Sequence, residues 1–112
     1  MKTLIAAAVS LFVAEPALAT WYLGTVQMVE VQNSTVTPNA TRISISVPSS
    51  TTACSNSSFY AFEYLGDNGA GKAWLAGLFK ASATGGQVQI FGTGTCDQSN
   101  VEIVQTILFY AP

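Results

Sequence analysis

The chain has 112 residues, of which 49% are hydrophobic and only 9% are charged, with a formal net charge of −2. This length suits one domain with a small core. The chain has too few positive charges for the basic surface that binds nucleic acid, and for the same reason binding to anionic membrane surfaces is disfavoured. Histidine is absent, which removes the Ser-His and Cys-His pairs of nucleophilic catalysis.

Residues 1–19 have the pattern of a secretory signal peptide. Lys2 is followed by an apolar segment at residues 4–14 and by an Ala-x-Ala cleavage site that ends at Ala19. The alternative is an uncleaved membrane anchor, but the apolar segment is too short to cross a bilayer. We therefore expect a secreted or periplasmic protein, cleaved after Ala19, whose residues 20–112 form one binding domain.

Three strand patterns open the mature chain. Residues 21–32 alternate in hydrophobicity but slip in phase, which predicts a β-bulge or bend. The runs 42–47 and 59–65 are each expected to place alternate side chains on one face. These side chains are Ile43, Ile45 and Val47 in the first run, and Tyr60, Phe62 and Tyr64 in the second.

A helix pattern follows at residues 70–84, and the glycines at 85 and 86 end it. Residues 87–91 then predict a short strand, 92–100 a loop, and 101–110 a closing strand. The order β-β-β-α-β-β is the layout of an oligonucleotide/oligosaccharide-binding (OB) fold. We expect a mainly β protein, a small five-stranded OB-like barrel with one helix.

The helix has two distinct sides. At 100° per residue, Leu75, Leu78 and Phe79 are expected to face the barrel. The other side carries small residues together with Lys80, and Ala73, Gly77 and Lys80 are candidates for an interface with another copy of the chain. The alternative is that alanine simply favours a helix on a solvent-facing side.

Cys54 and Cys96 are the only cysteines. In an exported protein a disulfide between them is the expected state. A metal pair or a catalytic thiol would need partners that the sequence does not supply, because two thiolates alone make a poor zinc site. We expect the disulfide, and no metal site.

Two further patterns bear on cofactors and catalysis. The motif GDNGAGK at residues 66–72 resembles a phosphate-binding loop, but Ala73 stands where a Ser or Thr would hold Mg²⁺, so a tight turn and no cofactor are expected. The carboxylates of the mature chain show no spacing typical of a glycosidase pair, and no enzymatic activity is expected. They are Glu30, Glu63, Asp67, Asp97 and Glu102.

The segment 70–96 carries a resemblance to a known family. It combines a helix with Trp74, Leu75, Leu78 and Phe79, the exit ATGGQVQI at residues 83–90, and a cysteine. In these features the chain resembles the B subunits of subtilase cytotoxin and of pertussis-like toxins, which are small exported OB barrels. The resemblance implies a homopentamer with its helices around a central pore, a cell-surface glycan as ligand, and an enzymatic A subunit as partner.

The glycan pocket of that family uses a serine ahead of the first strand or early in it. This chain has only Thr20, Trp21 and Tyr22 at that place, so the resemblance assigns no glycan-binding residue. The function expected from the sequence is a secreted, non-catalytic, glycan-recognising B-type subunit. The alternative is a stand-alone secreted structural or inhibitory protein that binds another protein through its Ser/Thr-rich loops.

Overall fold

The computed structural model describes residues 18–66 and 69–111. Most of the predicted signal peptide, residues 1–17, lies outside the described residues, as do residues 67 and 68 of the predicted turn. In chain order the elements are β1 (Trp21–Thr25), β2 (Val29–Asn33), β3 (Thr41–Ser46), β4 (Phe59–Tyr64), α1 (Gly71–Thr84), β5 (Gln87–Cys96) and β6 (Glu102–Phe109).

The strands form one six-stranded sheet in the order β1-β5-β6-β4-β3-β2. Neighbouring strands are antiparallel except β4 and β6, which pair in parallel. The prediction of a mainly β fold with one helix is confirmed for the described residues. The prediction of five strands in a closed barrel is wrong in both respects, because the sheet has six strands and is not closed by hydrogen bonds.

The extra strand arises from a break in the first predicted run. The chain leaves the strand conformation at residues 26–28, where the sequence slips in phase. The part before the break pairs with β5, and the part after it pairs with β3. One segment of the chain therefore supplies both edges of the sheet, and the hydrogen-bond ladder is interrupted at the bend between them.

The core lies between one face of the sheet and the helix. Both predicted apolar faces of β3 and β4 are in it, with Ile43, Ile45 and Tyr60 fully buried. Val88 and Ile90 of β5 face the same core from across the sheet. Helix and sheet meet at an edge-to-face contact between the rings of Phe62 and Trp74, whose centres are 5.2 Å apart.

The predicted helix is confirmed almost to the residue. It ends at Gly85, which has a left-handed conformation (φ 74°) that glycine adopts without strain. Leu75 and Leu78 pack on the core as expected. Phe79 was expected there too, but it is 53% exposed. The reason is that Trp74 and Ala81 define the buried side, which turns Phe79 away from the sheet.

The predicted disulfide between Cys54 and Cys96 is present. It joins the loop after β3 to the end of β5. The prediction of a loop from residue 92 is wrong, because β5 continues to Cys96 with shifts of register on both sides of Gly92. Such irregularities let a strand bend and still pair with its neighbour. A glycine-rich segment is typical both of a bent strand and of a loop, so the sequence alone does not distinguish them.

Candidate functional site

The polar centre of the domain is the carboxylate of Glu102, the first residue of β6, which is 0% exposed. The backbone N–H groups of Ala53 and Gly94 donate to its Oε1 and Oε2 over 2.9 and 3.0 Å. Thr20 donates twice, from its hydroxyl to Oε1 over 2.8 Å and from its backbone N–H to Oε2 over 3.2 Å. Because all four groups donate, the arrangement suits an ionised carboxylate, which only accepts.

Tyr60 of β4 extends this network. Its hydroxyl lies 2.6 Å from Thr20 Oγ1. Since the Thr20 hydroxyl gives its proton to Glu102, it accepts the proton of Tyr60. Burial raises the pKa of Tyr60 and the negative charge of Glu102 raises it further, while the hydrogen bond with Thr20 acts in the opposite direction. The phenol is therefore held in its neutral, proton-donating form.

Glycine makes room for the buried carboxylate. A Cβ atom on Gly92 would lie 2.0 Å from Oε2 and 2.5 Å from Cδ of Glu102. The backbone N–H of Gly92 also donates to the carbonyl oxygen of Thr20 over 2.9 Å. The sequence pattern placed Gly92 in a loop and gave no indication of this network. Its one sequence signal is a single carboxylate at the start of an otherwise uncharged closing strand.

A second polar cluster lies beside the disulfide. Arg42 of β3 is buried and pairs with Asp97 over 2.8 Å, while its Nη1 donates to Ser44 Oγ over 2.7 Å. Asp97 also accepts from the backbone N–H groups of Ser99 and Val101 over 2.8 and 3.1 Å. Burial alone would raise the pKa of Asp97, but the bonds from Arg42 and the two N–H groups outweigh it and lower that pKa.

The remaining described carboxylates, Glu30 and Glu63, lie on the surface. Glu63 is exposed and accepts from Ser34 Oγ over 2.9 Å, and Glu30 is exposed on β2. Asp67 lies outside the described residues. Within residues 18–66 and 69–111, no group of three His, Cys, Asp or Glu side chains is placed to hold a metal ion.

The outer face of β1, β5 and β6 carries a patch of uncharged side chains, here called the outer-face patch. Cross-strand partners share a face, and the register aligns two rows across the three strands. The rows are Trp21-Phe91-Thr106 and Leu23-Gln89-Leu108. Trp21 is 59% exposed, Leu23 46% and Leu108 44%. Apolar side chains exposed together in this way mark interaction sites more often than isolated ones do.

Tyr110 orders the polar part of this patch. Its hydroxyl donates to Gln89 Oε1 over 2.9 Å, and its backbone N–H donates to the carbonyl oxygen of Gln87 over 3.0 Å. The Gln89 amide is therefore oriented between Leu23 and Leu108. Neighbouring strands lie about 4.8 Å apart, so each row of three side chains spans about 10 Å.

The three candidate interface residues of the helix differ in their surroundings. Ala73 and Lys80 are exposed, as is the neighbouring Phe79. Gly77 instead packs against Phe109 of its own chain, since a Cβ atom there would lie 2.5 Å from the end of that ring. A groove of about 360 Å³ adjoins this contact between the helix and the end of β6. The close approach that the small residue at 77 permits is thus used within the domain.

Comparison of the chain with protein-family models, with curated protein sequences and with solved structures gives no match. Nor does the described part of the chain contain a helix long and apolar enough to cross a membrane.

Proposed function

We propose that the protein is an exported, non-catalytic binding subunit with OB-like topology, which recognises a glycan through its outer-face patch. Two features support the OB-like topology. Residues 21–33 supply both edges of the sheet through a bend, and β4 and β6 pair in parallel next to the strand that follows the helix. The OB fold is a frequent platform for oligosaccharides.

The observation that carries the proposal is the composition of the outer-face patch. An exposed indole ring offers a flat apolar surface for the C–H face of a sugar, and Gln89 and Thr106 offer neutral groups for its hydroxyls. The patch contains no charged residue. A neutral glycan satisfies both kinds of group, and its binding should change little with ionic strength, because there is no charge to screen.

A glycan array on the purified, processed protein tests this proposal. Trp21→Ala removes the stacking surface and should lower the affinity by roughly 2- to 13-fold, because a well-placed ring contact is worth about 0.5–1.5 kcal/mol. Val36→Ala is the matched control, because Val36 is 60% exposed but lies in the loop between β2 and β3. Equal losses in both variants, or no glycan signal for the unaltered protein, would contradict the proposal.

We propose assembly through the exposed side of the helix, with a homopentamer as the expected state. The support is an unpartnered surface at Ala73, Phe79 and Lys80. Phe79→Asp places a charge on this surface and should convert the assembly to monomers in light scattering without unfolding them. A monomeric unaltered protein at micromolar concentration would contradict assembly.

An enzymatic A subunit is a further proposed partner, and its copurification with the pentamer would be the test.

The alternative function is that of a stand-alone secreted protein whose ligand is another protein. The exposed leucines at 23 and 108 favour it, because aliphatic side chains pack on protein surfaces but offer no flat ring to a sugar. This alternative predicts a monomer with no glycan signal. Binding of this protein partner should be lost in the Leu108→Ala variant.

A further inference from the structure

The buried Glu102 carboxylate is surrounded by hydrogen-bond donors that carry no formal charge. They are the backbone N–H groups of Thr20, Ala53 and Gly94 and the hydroxyl of Thr20. A carboxylate with no exposed surface is costly to bury unless a positive charge accompanies it. A positively charged donor in this network would therefore offset the cost of burying the carboxylate.

One of these donors is expected to change its charge during maturation. The predicted cleavage hydrolyses the peptide bond between Ala19 and Thr20. Water adds across the amide, the C–N bond breaks, a carboxylate remains on Ala19 and an ammonium group forms on Thr20. The nitrogen that becomes charged is the one already 3.2 Å from Glu102 Oε2.

The position of Thr20 is fixed independently of this nitrogen. Its carbonyl oxygen accepts from the N–H of Gly92 over 2.9 Å, and its hydroxyl lies between Tyr60 and Glu102. The two residues before it lie at the surface, since Leu18 is 87% exposed and Ala19 is exposed. The hydrogen bonds that hold Thr20 therefore do not depend on burial of Leu18 or Ala19.

We propose that the Glu102 pocket is the binding site for the new amino terminus of the processed chain, with the Thr20 α-ammonium as the counter-charge of the carboxylate. Signal-peptide removal then supplies the last charged group of the core. The unprocessed chain holds a neutral amide at that place and folds less stably. This inference rests on export and on cleavage after Ala19, and it does not depend on what the outer-face patch binds.

The first measurement is the amino-terminal residue of the exported protein, by mass spectrometry of the chain expressed with its own leader. We expect Thr20. A product that begins at any other residue overturns the proposal, because its ammonium group would not reach Glu102.

The second measurement compares thermal unfolding of the processed protein with that of a version that retains Ala19. One extra residue moves the ammonium about 3.8 Å along the chain and restores the amide at Thr20. We expect the extended form to melt roughly 5–15 °C lower, because a neutral amide then replaces the ammonium group as the donor to Glu102 in a small domain. Equal melting temperatures would overturn the proposal.

Glu102→Gln is the matched control, because it keeps the shape of the side chain and removes its charge. In this background the extra Ala19 should change the melting temperature by much less. The same shift in both backgrounds would assign the effect of Ala19 to crowding and overturn the ion pair.

Titration of the amino terminus provides a readout that needs no substitution. Glu102 from β6 and Tyr60 from β4 are the titratable groups beside it, whereas β5 and the loop around Ala53 contribute uncharged N–H groups. Pairing with Glu102 should raise the pKa of the α-amino group above its usual range of about 7.7–8.0. The added stability is then present below that range and disappears as the pH rises through the folded-state pKa. An α-amino pKa within the usual range would overturn the proposal.

Discussion

Replacement of Gly92 by alanine tests the geometry of the Glu102 site most directly. The added methyl group would lie 2.0 Å from Oε2, 2.5 Å from Cδ of Glu102 and 2.9 Å from the Tyr60 ring. An exposed carboxylate would swing aside at little cost. Glu102 is fully buried and held by four hydrogen bonds, so its displacement breaks bonds that no water replaces.

The structure sets the size of the expected effect. The two bonds to Oε2, from Thr20 and Gly94, are the ones that the methyl group displaces. Hydrogen bonds to a charged group contribute about 1.5–3 kcal/mol each. The free energy of unfolding should therefore fall by about 3–6 kcal/mol, a large part of the roughly 5–15 kcal/mol that stabilises a typical domain.

Urea unfolding followed by tryptophan fluorescence measures this loss, and Gly77→Ala is the matched control. A Cβ atom on Gly77 would also meet a side chain at 2.5 Å, but that atom is the tip of the half-exposed Phe109 ring, which has space to move. Alanine also favours the helix by about 1 kcal/mol, so this variant should stay within about 1 kcal/mol of the unaltered protein. Equal midpoints for Gly92→Ala and Gly77→Ala would refute the reasoning.

Three further predictions concern the remaining polar contacts and the disulfide. The Cys54–Cys96 disulfide joins residues that are 42 positions apart in the sequence, and closing a loop of this size stabilises the fold by about 4 kcal/mol. Its reduction should therefore lower the melting temperature by roughly 15–30 °C. An unchanged calorimetric curve in dithiothreitol would contradict this. Burial raises the pKa of Asp97, but the hydrogen bonds from Arg42 and from two backbone N–H groups lower it by more. The stability that Asp97 contributes is therefore present above about pH 3.9 and is lost as the pH falls through the folded-state pKa. In acid, Asp97→Asn should lose stability less steeply than the unaltered protein, and parallel curves would count against the ion pair. Tyr60 has a raised pKa, so its contribution is lost as the pH rises above about 10; Tyr60→Phe should cost about 1 kcal/mol at neutral pH and flatten the alkaline limb of the stability curve, which denaturation at several pH values would detect.

The elements that sequence reasoning located well are those with a strong local signal. The alternation of Ile43 and Ile45 and of Tyr60 and Phe62 predicts strands that place these side chains on one face, and the structure buries all four. The helix end at Gly85 has an equally local cause in its left-handed backbone conformation. The disulfide could be predicted from composition, because a chain expected to be exported and holding two cysteines has one possible internal pairing.

The features that sequence reasoning missed depend on contacts between distant residues. Nothing near Gly92 in the sequence indicates that the carboxylate of Glu102 fills the space beside it, so a bent strand was interpreted as a loop. The exposure of Phe79 has a similar origin. Leu75, Leu78 and Phe79 fall within one side of a helical projection, and only the position of the sheet decides which edge of that side is covered.

Two of the few charged side chains of this protein have a role in holding the fold. Glu102 and Asp97 lie inside the domain, where each holds loops that flank the disulfide, through Ala53 in one case and through Ser99 and Val101 in the other. Their charges therefore position the backbone around the disulfide. The six side chains that define the outer-face patch are aromatic, aliphatic or neutral polar. The selectivity of the proposed glycan binding would then come from the shape of the patch and from the orientation of its neutral hydrogen-bonding groups.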